Sequence, residues 1–314
     1  MKSALKLLKY IKNDPLKYSI YQNINPILTD VSLRDGIQGM TPNDMTLCKK
    51  TEIFHDIFSN HLVDNIEVGS VVNTNLVPVM ADVFTFYNYC GQFIDDFYGS
   101  YNPKLHIIVP KLKYLKLAVA SNMNNFAFLS SVSYDFQKNN SNMSIEQTKE
   151  EIIEMCNYLK NSNINGHKKL YLSCVDTCPF QGKINNITIG QEIINYSKMN
   201  IFDEICLSDT CGKLSINNFK EILEICKRAC INTNKLSLHL HINPNNVHIE
   251  SIVRYALNNR INRFDISSLE TGGCNVTLED KNSFKNMSYE LFYGYLSKYI
   301  DELAIKHMNE TRYQ

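Results

Sequence analysis

Ile27-Leu-Thr-Asp-Val-Ser-Leu-Arg-Asp-Gly36 is the stretch that decides the architecture. Its first half, Ile27–Val31, is a short apolar and β-branched run of the kind that forms a buried strand. An open, doubly wound sheet normally follows its first strand with a glycine-rich phosphate loop. Here Val31 leads instead into Ser-Leu-Arg-Asp-Gly, where two charged residues precede a single glycine. Outward from this point the same kind of run recurs at Asn65–Gly69, His106–Val109, Phe126–Ser130, Leu170–Cys174, Glu204–Ser208, Leu236–His241 and Arg263–Ser267. Helix-like segments lie between them, among them Asp44–Ser59, Ile145–Leu159, Ile216–Ala229 and Val247–Asn258. Ile216, Phe219, Ile222, Leu223, Ile225 and Cys226 follow helical spacing, and Ser215 and Ser144 stand where N-caps belong. Eight strand–helix units in succession imply parallel strands with right-handed crossovers. The expected fold is therefore α/β, a single (β/α)8 TIM barrel over residues 25–314, with residues 1–24 as an N-terminal extension.

Composition narrows the function classes. At 314 residues the chain is ample for a barrel, which needs roughly 250. Lys+Arg and Asp+Glu balance at 32 each, which recommends neither nucleic acid nor a membrane surface as a partner. No apolar run approaches the roughly 18 residues of a membrane span. The start, Met1 to Lys12, is basic and amphipathic, as mitochondrial presequences are, but it lacks arginine and is followed by Asp14. The reading is a soluble cytoplasmic protein, ahead of a mitochondrial one. Ten cysteines spread over such a chain read as reduced thiols. The Cys174/Cys178 pair has no second pair nearby to make a zinc site and reads as buried thiols at a strand end.

In TIM barrels the active site occupies the C-terminal ends of the strands. Polar residues gather there: Arg34 and Asp35, Glu67, Asp209, His239 and His241, and the loop with Cys274. Side chains two apart on a strand share a face, so His239 and His241 can address one ion. Asp35 can supply a third ligand from strand one. Two imidazoles and a carboxylate suit Mg²⁺ or Mn²⁺, with Zn²⁺ or Co²⁺ as substitutes. Arg34 offers a fixed positive charge where an enolate or carboxylate oxygen would develop charge, or else forms a structural pair at the mouth. Glu67 can orient Arg34 or bear on the substrate, and Asp209 can support the histidines from behind. Lys111 and Lys113 can meet phosphates, although surface lysines are usually only solvated.

Asp30-Val-Ser-Leu-Arg-Asp-Gly-Ile-Gln38 resembles the opening signature of the DRE-TIM metallolyases, and within them the 3-hydroxy-3-methylglutaryl-CoA (HMG-CoA) lyase family. Ile66 to Ser70, Val77 to Asp82, Leu172 to Lys183, Ser208 to Gly212, His239-Leu-His241 and Thr271-Gly-Gly-Cys274 follow in the same order as in that family. The resemblance covers roughly Ile27 to Leu296. It implies that Asp35, His239 and His241 bind a divalent metal with an asparagine, Asn286 in preference to Asn282. It implies further that Arg34 stabilises the enolate oxygen of an acyl-CoA thioester, that His239 is a base, and that Cys274 exchanges a proton with the acetyl carbon. The implied reaction cleaves HMG-CoA to acetoacetate and acetyl-CoA, in an enzyme that is a homodimer. The chain departs from the family pattern at Ser32-Leu33, Asn75, Ile242-Asn-Pro-Asn245 and Asn275-Val276. Those departures keep two alternatives open: an aldolase-type or condensing relative acting on another 2-oxo or hydroxy acid, and a non-catalytic barrel with a retained metal site.

Overall fold

The computed structural model describes residues 2–61, 63–97, 101–269, 271–272 and 285–312. Its parallel strands are β1 (Ile27–Asp30), β2 (Asn65–Ser70), β3 (Lys104–Ile108), β4 (Asn125–Ser131), β5 (Lys168–Ser173), β6 (Glu204–Asp209), β7 (Leu236–Ile242) and β8 (Arg263–Ile266). Each pairs with the next, and β8 pairs with β1 through Ile27–Arg263 to Asp30–Ile266, so the sheet closes into a (β/α)8 barrel. The expected strands are all present, most of them a residue or two longer than the apolar runs alone indicate.

Helices wrap the outside: α1 (Lys2–Lys12), α2 (Pro15–Ile24), α3 (Leu47–Asn60), α4 (Val83–Asp96), α5 (Leu112–Ala120), α6 (Tyr134–Ser141), α7 (Ile145–Asn161), α8 (Asn186–Met199), α9 (Ile216–Arg228), α10 (Ile249–Asn258) and α11 (Tyr289–Arg312). Ser144 caps α7 in a full capping box with Gln147, and Ser215 caps α9 through the Asn218 N–H. Two helices start later than their periodicity suggests. Thr46 rather than an earlier residue caps α3, and the chain from Asn243 to His248 is spent in turns before α10. Residues 2–24 form α1 and α2, and Leu8 and Ile11 of α1 are buried in the main core beside residues of α11 such as Leu296 and Ile300.

The strands turn opposite chemistries to their two faces. Outward-pointing Phe126, Leu170, Leu207, Leu238 and Phe264 are buried against the helices in one continuous apolar cluster. Inside the lumen the apolar contacts shrink to Ile108, Ala127, Tyr171 and Cys206, with Leu129 packed on them. The remainder of the interior is polar and charged, where barrel interiors are usually filled by branched aliphatic layers.

Candidate metal centre

Arg34 and Asp35 reach the barrel mouth by an unusual route. After β1 the chain makes a π-helical turn, Ser32–Gly36, in which the N–H groups of Arg34, Asp35 and Gly36 all converge on the Val31 carbonyl. Single π turns of this kind gather at functional sites because they re-aim side chains. Here both charged side chains are buried, at 7% and 4% exposure. Arg34 Nη1 donates to Asp35 Oδ1 at 2.6 Å, and Arg34 Nε donates to Glu67 Oε2 at 2.7 Å. Burial alone would push the Asp35 carboxyl up, but the Arg34 guanidinium and the two histidines hold it well below the usual carboxylate range. Asp35 is therefore an anion despite its burial.

On β7, His239 and His241 point the same way, with ring centroids 4.8 Å apart. Each has its Nδ1–H held by an acceptor, Asp265 Oδ2 at 3.1 Å for His239 and the Asp209 carbonyl at 3.0 Å for His241. That orients each ring through Nδ1, so that Nε2 is the nitrogen turned toward Asp35 and the mouth, as the partners of metal-binding histidines do. His241 Nε2 lies 3.7 Å from Asp35 Oδ2. The ligand atoms of Asp35, His239 and His241 all fall within 4.8 Å of one another, and no other such group of three occurs among the described residues. Burial lowers the His239 pKa, which favours the neutral, metal-binding form; His241 is also buried, yet the neighbouring Asp35 carboxylate shifts it upward.

Asn286 joins this trio from the far end of the chain. The short strand Lys285–Asn286 pairs antiparallel with β7, placing Asn286 opposite His241. Its Nδ2 donates to Asp35 Oδ2 at 2.9 Å and to the Thr271 carbonyl at 3.0 Å. Those bonds occupy the amide nitrogen, so Oδ1 is the atom the amide could offer a cation. Gly272 closes the arrangement: a Cβ there would meet Asn286 Nδ2 at 2.1 Å and Asp35 Oδ2 at 2.7 Å, so only glycine fits. Two oriented imidazoles, an ionised carboxylate and an amide form a mixed N/O donor set that fits a divalent cation. Cys274 and Asn282 lie outside the described residues.

The remaining expectations resolve differently. Glu67 is fully buried beneath Arg34, accepts its Nε–H through Oε2, and is not among the residues that line the cavity. Asp209 supports His241 through its backbone carbonyl; its carboxylate instead accepts the Lys213 and Leu214 N–H groups at 3.0 and 2.9 Å. Burial pushes that carboxyl up to about 7. Cys174 and Cys178 are buried and unbridged, and the Ser133 hydroxyl donates to Cys178 Sγ at 3.0 Å. Lys111, half-buried, and Lys113, exposed, both stand in the wall of the cavity.

That cavity, about 670 Å³, opens at the C-terminal mouth with Arg34, Asp35, Tyr171, His239 and His241 in its wall. Its size is in the range of small-molecule and cofactor sites. Beneath it lies a cluster that sequence reasoning missed. Lys169 Nζ pairs with Asp265 Oδ1 at 2.5 Å and Glu204 Oε1 at 3.2 Å, and the Tyr171 hydroxyl reaches both Asp265 and Glu67. Burial alone would raise the Asp265 carboxyl, but Lys169 and His239 hold it below its usual range. One signal was available: Lys169 and Tyr171 alternate with Leu170 and Leu172, and Asp265 lies between Phe264 and Ile266.

Residues 25–245 match the family model described as HMGL-like. The chain belongs to this family. It is 27% identical over 247 residues to the mitochondrial hydroxymethylglutaryl-CoA lyase of Macaca fascicularis, across 79% of this chain and 71% of that one. To the cytoplasmic 3-hydroxy-3-methylglutaryl-CoA lyase of Rattus norvegicus it is 28% identical over 268 residues, across 81% and 72%. The hydroxymethylglutaryl-CoA lyase structure from Pseudomonas aeruginosa superposes with a TM-score of 0.70 at 23% identity, covering 84% of this chain and 82% of that one. An HMG-CoA lyase from Acinetobacter baumannii, in complex with coenzyme A and 3-methylmalate, gives 0.70 at 21% identity over 88% and 90%. These structures share the HMGL-like barrel. No described helix of the chain is long and apolar enough to cross a membrane.

Proposed function

We propose that the chain is a metal-dependent carbon–carbon lyase that cleaves HMG-CoA to acetoacetate and acetyl-CoA. The observation that carries this reading is the convergence of Asp35, His239 and His241 at the wall of a large cavity, with Arg34 beside them. The family and its curated lyases support it. Asp35, His239, His241 and Asn286 would hold Mg²⁺ or Mn²⁺. When bound, the ion supplies Lewis acidity to the tertiary hydroxyl and carboxylate oxygens of a chelating substrate.

The chain's own residues supply the rest. Cleavage removes the hydroxyl proton, breaks the C–C bond and leaves its electron pair on the thioester as an enolate. Arg34, locked by Glu67 and Asp35, presents its remaining N–H donors to the enolate oxygen without reorganising, which is where fixed charge is worth most. The Nε2 lone pair of His239 can ligate or take a proton, but not both. His239 acts as the base only while Asp35, His241 and Asn286 hold the cation. Cys274 is proposed to return a proton to the acetyl carbon. Lys111 and Lys113, on the cavity wall, would receive the phosphates of an acyl-CoA.

The test is release of acetoacetate from HMG-CoA by the purified protein, after chelation and after adding back Mg²⁺ or Mn²⁺. Metal-dependent release supports the assignment. Absence of release by a metal-loaded protein contradicts it and moves the weight to another acyl substrate.

A further inference from the structure

Tyr171 of β5 stands between the two working halves of the site. It is 3% exposed, yet its edge lines the cavity. Its single phenolic hydrogen is shared by two carboxylates, Glu67 Oε1 and, at 2.7 Å, Asp265 Oδ2. Each carboxylate holds one functional group. Glu67 Oε2 accepts Arg34 Nε at 2.7 Å, and Asp265 Oδ2 accepts His239 Nδ1–H at 3.1 Å. The ring takes part as well. The Arg34 guanidinium lies over it, 5.0 Å from the centroid, and the His239 imidazole meets it edge-on at 5.8 Å and 89°.

We propose that Tyr171 is a positioning residue that sets Arg34 and His239 together, acting through Glu67 on one side and Asp265 on the other. The inference rests on the metal-site reading above. Its physical basis is that Glu67 and Asp265 approach one another in a buried, low-dielectric lumen, where unmediated like charges would turn apart. The shared hydroxyl hydrogen-bonds to both, whereas Lys169 pairs closely with Asp265 Oδ1 at 2.5 Å and faces Glu67 only as a charge 3.9 Å away, beyond hydrogen-bond reach. Phenylalanine would preserve the ring contacts and remove only this link. The outcome for the site would be a rotated Asp265 and a misaimed His239 Nε2.

Calorimetric titration of the full-length, metal-stripped protein with Mn²⁺ alone tests this without reference to a substrate. Tyr171→Phe is expected to raise the Mn²⁺ dissociation constant about tenfold, the effect of one hydrogen bond to a charged group. Asp265→Asn is expected to weaken binding at least as much. The double variant should be no worse than Asp265→Asn, because Tyr171 reaches His239 through that carboxylate. A general loss of packing would not produce this non-additivity, and thermal unfolding of each variant reports such a loss separately. Wild-type affinity in Tyr171→Phe, or losses that multiply in the double variant, would overturn the proposal. Wild-type Mn²⁺ binding with the expected Tyr171→Phe effect, but no cleavage of HMG-CoA, would leave this inference standing and remove the substrate assignment. A wild-type protein that bound no Mn²⁺ would overturn both.

Discussion

On their outer faces the barrel strands meet the helices through Phe126, Leu172, Leu207 and Leu238, while the same strands turn Glu67, Lys169, Glu204 and Asp265 into the lumen. Both regions are buried, but they are held by different physics. The outer layer is non-directional: apolar area leaves water, at about 25 cal/mol per Å², and shape decides the rest. The lumen is directional. Each charge there is tolerated only because a named partner lies within reach, and removing one member strands the others. The shell is thus held by packed area that tolerates small changes, whereas the lumen keeps donors and acceptors at fixed angles for the mouth above it.

The largest expected effect lies at the top of the lumen. Asp35→Ala or His239→Ala should abolish both Mn²⁺ binding by calorimetry and metal-dependent turnover; retention of tight Mn²⁺ binding by either variant would break the metal assignment. Lys169→Met, which leaves Asp265 and Glu204 without their ammonium, should cost about 3–5 kcal/mol in urea unfolding. Arg34→Gln should lower kcat by about a hundredfold or more, as loss of one oxyanion donor does. Chromatographic rate assays with saturating metal would show whether that loss is in kcat.

Asp30 lets the comparison be tested with pH. It belongs to the shell, pointing out from β1 to accept the Tyr289 hydroxyl at 2.6 Å and the Ser32 N–H at 2.8 Å. Burial raises its carboxyl from 3.8 to about 6. Between those values the folded protein keeps a proton that the unfolded chain has released. Stability therefore falls as pH rises through this window, by about 3 kcal/mol in all. Asp30→Asn should flatten that part of the urea-midpoint profile relative to wild type, and an unchanged slope would contradict the assignment. The smallest effect belongs to the apolar wall. Ile222→Val on α9 should cost about 0.5–1.5 kcal/mol and leave Mn²⁺ affinity alone.

What could be read from the sequence follows the same division. The shell is local: apolar runs such as Leu236–His241 and the helical spacing from Ile216 to Cys226 reveal strands and helices directly, and Ser144 and Ser215 mark two helix starts. The convergence of Asp35, His239 and His241 was legible because the histidines are two apart on one strand and Asp35 stands at the end of another. The support beneath them was not. Tyr171, Lys169 and Asp265 meet only when the sheet closes, across 94 and 96 residues of chain, and no spacing rule spans that. The π turn at Ser32–Gly36 and the steric need for Gly272 likewise depend on what packs against them. Asp209 meets His241 through its backbone carbonyl, a contact that no side-chain pattern in a sequence specifies, while its carboxylate accepts the Lys213 and Leu214 N–H groups.

The most direct test is an anomalous difference map from crystals grown with Mn²⁺. The account predicts one strong peak in the barrel mouth, bounded by Asp35, His239, His241 and Asn286. No peak there, or a peak held by other residues, would contradict it.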